Sequence, residues 1–179
     1  MPFKPLSFLV LCLSFLLAPV FGGIALSAQV QKGQIRSDVR TKLLESKCVD
    51  YYKRPVLHVR NDKIGDVAFS NMMRLQGVNM GPMTIVNINR LSKLSRASQL
   101  FFIAHECGHH VLGHLYFRSP GQSVEQEADC YAIRTLIRGG FFTLRDVETV
   151  QSDLRKYARA SQYHATGPER ASALPKCME

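Results

Sequence analysis

The sequence predicts an α+β fold in one domain, a short mixed sheet followed by helices packed on it. Two observations carry that prediction. Strand-like runs are confined to residues 55–89, and the longer segments after residue 95 are bounded by helix caps and by Gly and Pro breaks. The chain has 179 residues with 46% hydrophobic content, enough for one buried core and short for two. No internal repeat or low-complexity tract is apparent.

The elements are read in chain order. Lys4, the apolar stretch Leu6 to Phe21 and the small residues Gly22, Gly23, Ala25, Ser27 and Ala28 have the layout of a secretory signal peptide over residues 1–28. An uncleaved anchor is the alternative, since Leu6 to Leu26 is nearly long enough to span a bilayer. Residues 29–179 then form the domain. Gln31 to Cys48 reads as an amphipathic helix with Ile35, Val39, Leu43 and Leu44 on one side. Pro55 to Val59, Val67 to Met73 and Met83 to Asn89 read as strands, the last by its alternation of apolar and polar residues. Ser95 caps a long helix expected to end near Leu115. Ser119-Pro120-Gly121 breaks the chain before a second helix, which stops at Gly139-Gly140. Thr143 caps a third, with Asp146 in the capping-box position.

Charge and cysteines narrow the setting. The net charge is +9; residues 1–28 hold only Lys4 of the 23 basic residues, so the remainder keeps about +8. The basic residues are scattered, with no aromatic-interleaved motif, so nucleic acid is not an expected partner. An exported basic protein is expected to meet, at most peripherally, an anionic membrane or cell wall. Export places it in the periplasm or outside the cell. Cys48, Cys107, Cys130 and Cys177 permit two disulfides with three connectivities. A Cys48–Cys177 pair would tie the two ends of the domain together. Cys107, about 200° around the helix from His105, reads as a buried free thiol facing away from any site there.

The chemistry concentrates at His105-Glu106-Cys107-Gly108-His109. On a helix His105 and His109 lie one turn apart on one face, so both imidazoles reach one tetrahedral Zn²⁺. Glu106 is rotated to the flank, where it can take a proton from the water that zinc activates. The pentapeptide alone arises by chance in about one in a hundred chains of this composition, so its surroundings decide. Glu125 and Asp129, four residues apart, share one face of the second helix, while Glu127 points roughly the other way. Glu125 as third ligand, and Asp129 as acceptor for a ligand-histidine N–H, complete a one-metal site. A third histidine at position 115 after Gly at 112 is absent, since both positions are Leu. His110 is about 100° away from His109 and is not expected to ligate.

The segment His105 to His114 followed by Glu125-x-x-x-Asp129 resembles the CAAX-prenyl-protease/HtpX-type family of gluzincin zinc metallopeptidases, over roughly Val56 to Leu174. Members often carry a further histidine where His114 stands. The stretch His164 to Arg170 is similar to their C-terminal element, a His-Pro pair with an Arg six positions after the histidine, with Ala165 in place of the usual proline. The resemblance implies a zincin-like fold and a zinc-dependent endopeptidase acting on polypeptides. It further implies that the C-terminal element folds back over the cleft, with His164 and Arg170 stabilising the oxyanion. The run Val67 to Met73 is implied to be the sheet edge that pairs with substrate. His114 and His58 have no expected chemical task. The alternative is a catalytically silent zinc-binding module of the same fold, acting as an interaction or regulatory protein.

Overall fold

The computed structural model describes residues 45, 47–75, 78–157 and 164–179. They all belong to one compact unit within Ile35–Glu179. The expected signal segment and nearly all of the helix read over Gln31–Cys48 lie outside the described residues. No described helix is long and apolar enough to cross a membrane.

The protein is α+β. Strands β1 (Leu57–Arg60), β2 (Ala68–Leu75) and β3 (Val78–Val86) form a mixed sheet in the order β1-β3-β2. β1 runs parallel to β3 and β2 antiparallel to it, which leaves β2 as an edge. The helices are α1 (Ile88–Leu91), α2 (Arg96–Val111), α3 (His114–Phe117), α4 (Gln122–Arg138), α5 (Leu144–Leu154) and α6 (Gly167–Ala173), followed by a 3₁₀ turn at Leu174–Met178. The main core gathers Phe101, Ile133, Leu136, Val150 and Leu174 from the helices. A smaller cluster of Ala68, Val86, Leu91 and Ile103 joins the sheet to α2.

The strand limits differ from the expected ones by up to five residues, β3 starting at Val78 rather than Met83, and two boundaries have a clear local cause. The strand read over Met83–Asn89 ends at Val86, because the Asn87 side chain accepts from the Arg90 amide (3.0 Å) and caps α1. The motif helix ends at Val111 rather than near Leu115. Gly113 follows with φ +74°, the left-handed conformation that closes helices, and α3 starts in a new direction. The cap expected for α5 is present: Thr143 and Asp146 make a reciprocal box. A second box, Thr166 with Glu169, opens α6.

The N-terminus of α2 is fixed from a distance. Ser95 accepts from the Ser98 amide (3.2 Å), and Asp153 on α5 accepts from the Ser95 amide (3.1 Å) and the Ser98 hydroxyl (2.8 Å). Burial alone would raise the Asp153 pKa, but hydrogen bonds from Lys156, Ser95 and Ser98 outweigh it and hold the carboxyl well below its usual range. Asp153→Ala is expected to cost about 1–3 kcal/mol at pH 7. The depressed pKa makes this stabilisation fully present above about pH 4, and it is lost as the pH falls through the folded-state value. Thermal unfolding of wild type and variant across that range checks it: the gap should close in acid, and a gap that does not change with pH would refute the account.

The disulfides are Cys48–Cys107 and Cys130–Cys177. This overturns both the Cys48–Cys177 pairing and the free thiol at Cys107. Cys107 does sit on a different face of α2 from His105, but that face carries a small cluster of Cys48, Val56 and Val111, which brings the two sulfurs together. The 3₁₀ turn packs on α4, so Cys177 meets Cys130 instead.

Candidate metal centre

Helix α2 is held between two different partners, and the 100° step between neighbouring residues assigns each motif residue to one of them. His105 and His109 face α4. Glu106 and His110, also one turn apart, face the sheet. Gly108 lets α4 come close: a Cβ there would lie 3.0 Å from the Tyr131 ring and 3.3 Å from the Ala128 Cα.

On the α4 side, three donor atoms converge. His105 Nε2 is 3.1 Å from His109 Nε2 and 3.1 Å from Glu125 Oε2, and His109 Nε2 is 3.5 Å from that same oxygen. His164 Nε2 reaches it too, at 2.9 Å. Glu125 Oε2 is buried and its contacts lack hydrogen-bond geometry, whereas the contact between His105 Nε2 and His109 Nε2 has it. His105, Glu125 and His164 place donor atoms within 4.8 Å of one another, a group able to hold a metal ion. His109 joins His105 and Glu125 in a tighter set still.

The outer contacts fix how these rings are protonated. Asp129 Oδ1 lies 2.8 Å from His105 Nδ1, so it takes that N–H and leaves Nε2 facing the centre. His109 Nδ1 is 3.0 Å from His114 Nδ1, whose Nε2 is 3.3 Å from Glu127 Oε2. Glu127 can only accept, so the protons run from His109 through His114 to Glu127, and His109 Nε2 also presents a lone pair. Burial alone would lower the His105 pKa, but the carboxylates of Asp129 and Glu125 outweigh it and push it up to about 9. The site therefore favours a positive charge at that nitrogen. Glu125 is likewise held far below the ordinary carboxylate range by His105, His109 and His164, against the opposing effect of burial.

The C-terminal element returns to the site. His164 and Arg170 both line a cleft of about 570 Å³ together with His105, Glu106, His109 and the residues from Gly65 to Ser70 at the start of β2. Arg170 grips Asp129 in a fork, Nε to Oδ2 at 2.9 Å and an Nη to Oδ1 at 2.6 Å. This ion pair is buried, with 12% and 5% of the two side chains exposed. It holds Asp129 at a pKa of about 2 despite its burial.

On the sheet side, Ser70 Oγ donates towards Glu106 Oε2 and the Glu106 carbonyl oxygen, each at 2.8 Å. His110 Nε2 is 3.2 Å from Thr84 Oγ1, and burial lowers its pKa to about 4. His110 is thus a docking residue for the sheet, away from the converging donors. Sequence reasoning missed Ser70, and it gave His114 no task although His114 is the link that orients His109. The five-residue spacing from His109 to His114 was the available signal. It failed because the bend at Gly113, not a continuous helix, turns His114 back. His58 is half-buried on β1 and away from the cleft lining.

Compared with known proteins, the chain matches no family model, no curated protein and no solved structure.

Proposed function

We propose that the chain is a zinc-dependent endopeptidase of gluzincin type with a zincin-like fold, acting on polypeptides of the cell envelope or exterior. The observation that carries the reading is the convergence of His105, His109 and Glu125. Tetrahedral zinc with bonds of about 2.0–2.2 Å separates its ligand atoms by roughly 3.3 Å, close to the 3.1, 3.1 and 3.5 Å found here. Two imidazole nitrogens and a buried carboxylate oxygen that meet within 3.5 Å favour a cation among them, and a metal ion can take the place of the proton that the raised His105 pKa otherwise holds there. The donor set fits zinc, with imidazole and carboxylate ligands and no thiolate.

Zinc held there supplies Lewis acidity that makes water a competent nucleophile near neutral pH. Glu106 flanks the cleft as the base that takes the proton of the attacking water and then delivers it to the leaving amine. His164, beside Glu125 and 40% exposed, serves as the donor to the oxyanion. Arg170, with its fork on Asp129, keeps His105 in the tautomer that ligates. Edge strand β2 borders the same cleft, so an extended peptide can add to the sheet there by main-chain hydrogen bonds.

A second reading rests on His164. As a fourth ligand it would close the site, as in structural zinc centres, and leave a silent binding module. Zinc analysis of purified variants separates the two. His109→Ala is expected to lose the metal, whereas His164→Ala keeps one zinc per chain and loses turnover. Loss of zinc from both variants, together with a wild type that cleaves no peptide library, would establish the module instead.

A further inference from the structure

We propose that Ser70 is the positioning residue for Glu106, holding its carboxylate from the sheet edge; this rests on the peptidase reading above. Ser70 and Thr84 are register partners on β2 and β3, so their side chains emerge on the same face of the sheet. That face lies under α2. Ser70 touches Glu106 and Thr84 touches His110, two positions one helical turn apart. Two polar contacts spaced by a turn fix the rotation of α2 about its own axis. They therefore set the direction of Glu106 relative to the metal-facing pair His105 and His109. Without them the flexible glutamate side chain has several staggered rotamers open to it, and only some of these point into the cleft.

The hydroxyl also suits a group that must carry a proton and release it. Ser70 Oγ has one proton and two acceptors at 2.8 Å, the Glu106 carboxylate and the Glu106 carbonyl oxygen. Towards the carboxylate it donates a charge-assisted hydrogen bond. When Glu106 carries the proton taken from water, the hydroxyl turns its own proton to the carbonyl and accepts from the carboxylic acid. The side chain is held in one place through both states, and no proton is gained or lost by Ser70.

The test uses the zinc-loaded full chain carrying Ser70→Ala or Ser70→Thr, with kcat, KM, bound zinc and the ¹³C resonance of the Glu106 carboxyl carbon as readouts. The resonance is identified by its disappearance in Glu106→Gln. In Ser70→Ala, kcat is expected to fall roughly ten- to a hundredfold with KM and zinc unchanged, and the Glu106 resonance to move. Ser70→Thr, which keeps the hydroxyl on a strand, restores both. A wild-type kcat and an unmoved resonance in Ser70→Ala would overturn the proposal, as would a threonine variant as impaired as the alanine one. If wild type cleaves nothing, yet the resonance moves in the alanine variant and returns in the threonine variant, the positioning role stands and the peptidase reading falls.

Discussion

Glu106→Gln is expected to keep the fold and one zinc per chain while lowering peptide hydrolysis by about 10²–10⁴-fold. The amide is nearly isosteric and can still accept from Ser70 Oγ, now 2.8 Å from the carboxylate, so the packing between β2 and α2 has no reason to change. What it cannot do is accept a proton from water at neutral pH. The effect should fall on kcat, because the lost interaction exists only as the proton moves. Metal analysis and a thermal midpoint close to that of wild type are the controls. Full activity in this variant would remove Glu106 as the base and, with it, the mechanistic core of the proposed function.

Arg170→Ala is expected to cost about 3–5 kcal/mol, because it leaves the buried Asp129 carboxylate without its strongest partner. In a domain of this size that corresponds to a drop of about 6–20 °C in Tm. Zinc affinity should fall as well, since Asp129 both receives the Arg170 fork and takes the Nδ1 proton of His105. Arg170→Lys keeps the charge but not the fork and should recover only part of the loss. The Arg170→Ala/Asp129→Asn double variant should lose less than the sum of the single changes. An unchanged Tm with a large fall in kcat would put Arg170 on the oxyanion instead, the role its resemblance to the family implies.

Much of the candidate site was legible because it depends on local periodicity. The four-residue spacings His105–His109 and Glu125–Asp129 place each pair on one face of a helix whatever the rest of the chain does. The capping box at Thr143 and Asp146 is equally local, and so are the helix stops at Gly139 and Gly140. What was not legible depends on contacts between distant segments. Ser70 is 36 residues from Glu106, and nothing in either neighbourhood announces the other. His114 was given no chemical task, because nothing local shows which side chain it meets. One left-handed residue at Gly113 redirects the chain and brings His114 to within 3.0 Å of His109.

The sequence by itself determined the class of fold, the two helices that carry the site and the residue types available for a metal. It could do so because helix and strand periods fix the angle at which each side chain leaves its own element. Only the tertiary structure decided what each angle meets. Cys107 and Cys48 pair because the face of α2 that carries Cys107 packs against the segment running into β1, a choice that spacing among four cysteines leaves open in three ways. Arg170 meets Asp129 because α6, packed on α5, brings the guanidinium to a side chain of α4 that is 41 residues away in sequence. Glu106 meets Ser70 because the edge strand, not the central one, lies under that turn of the helix. Packing makes these choices collectively, since the burial of one face of α2 against α4 dictates which face is left for the sheet.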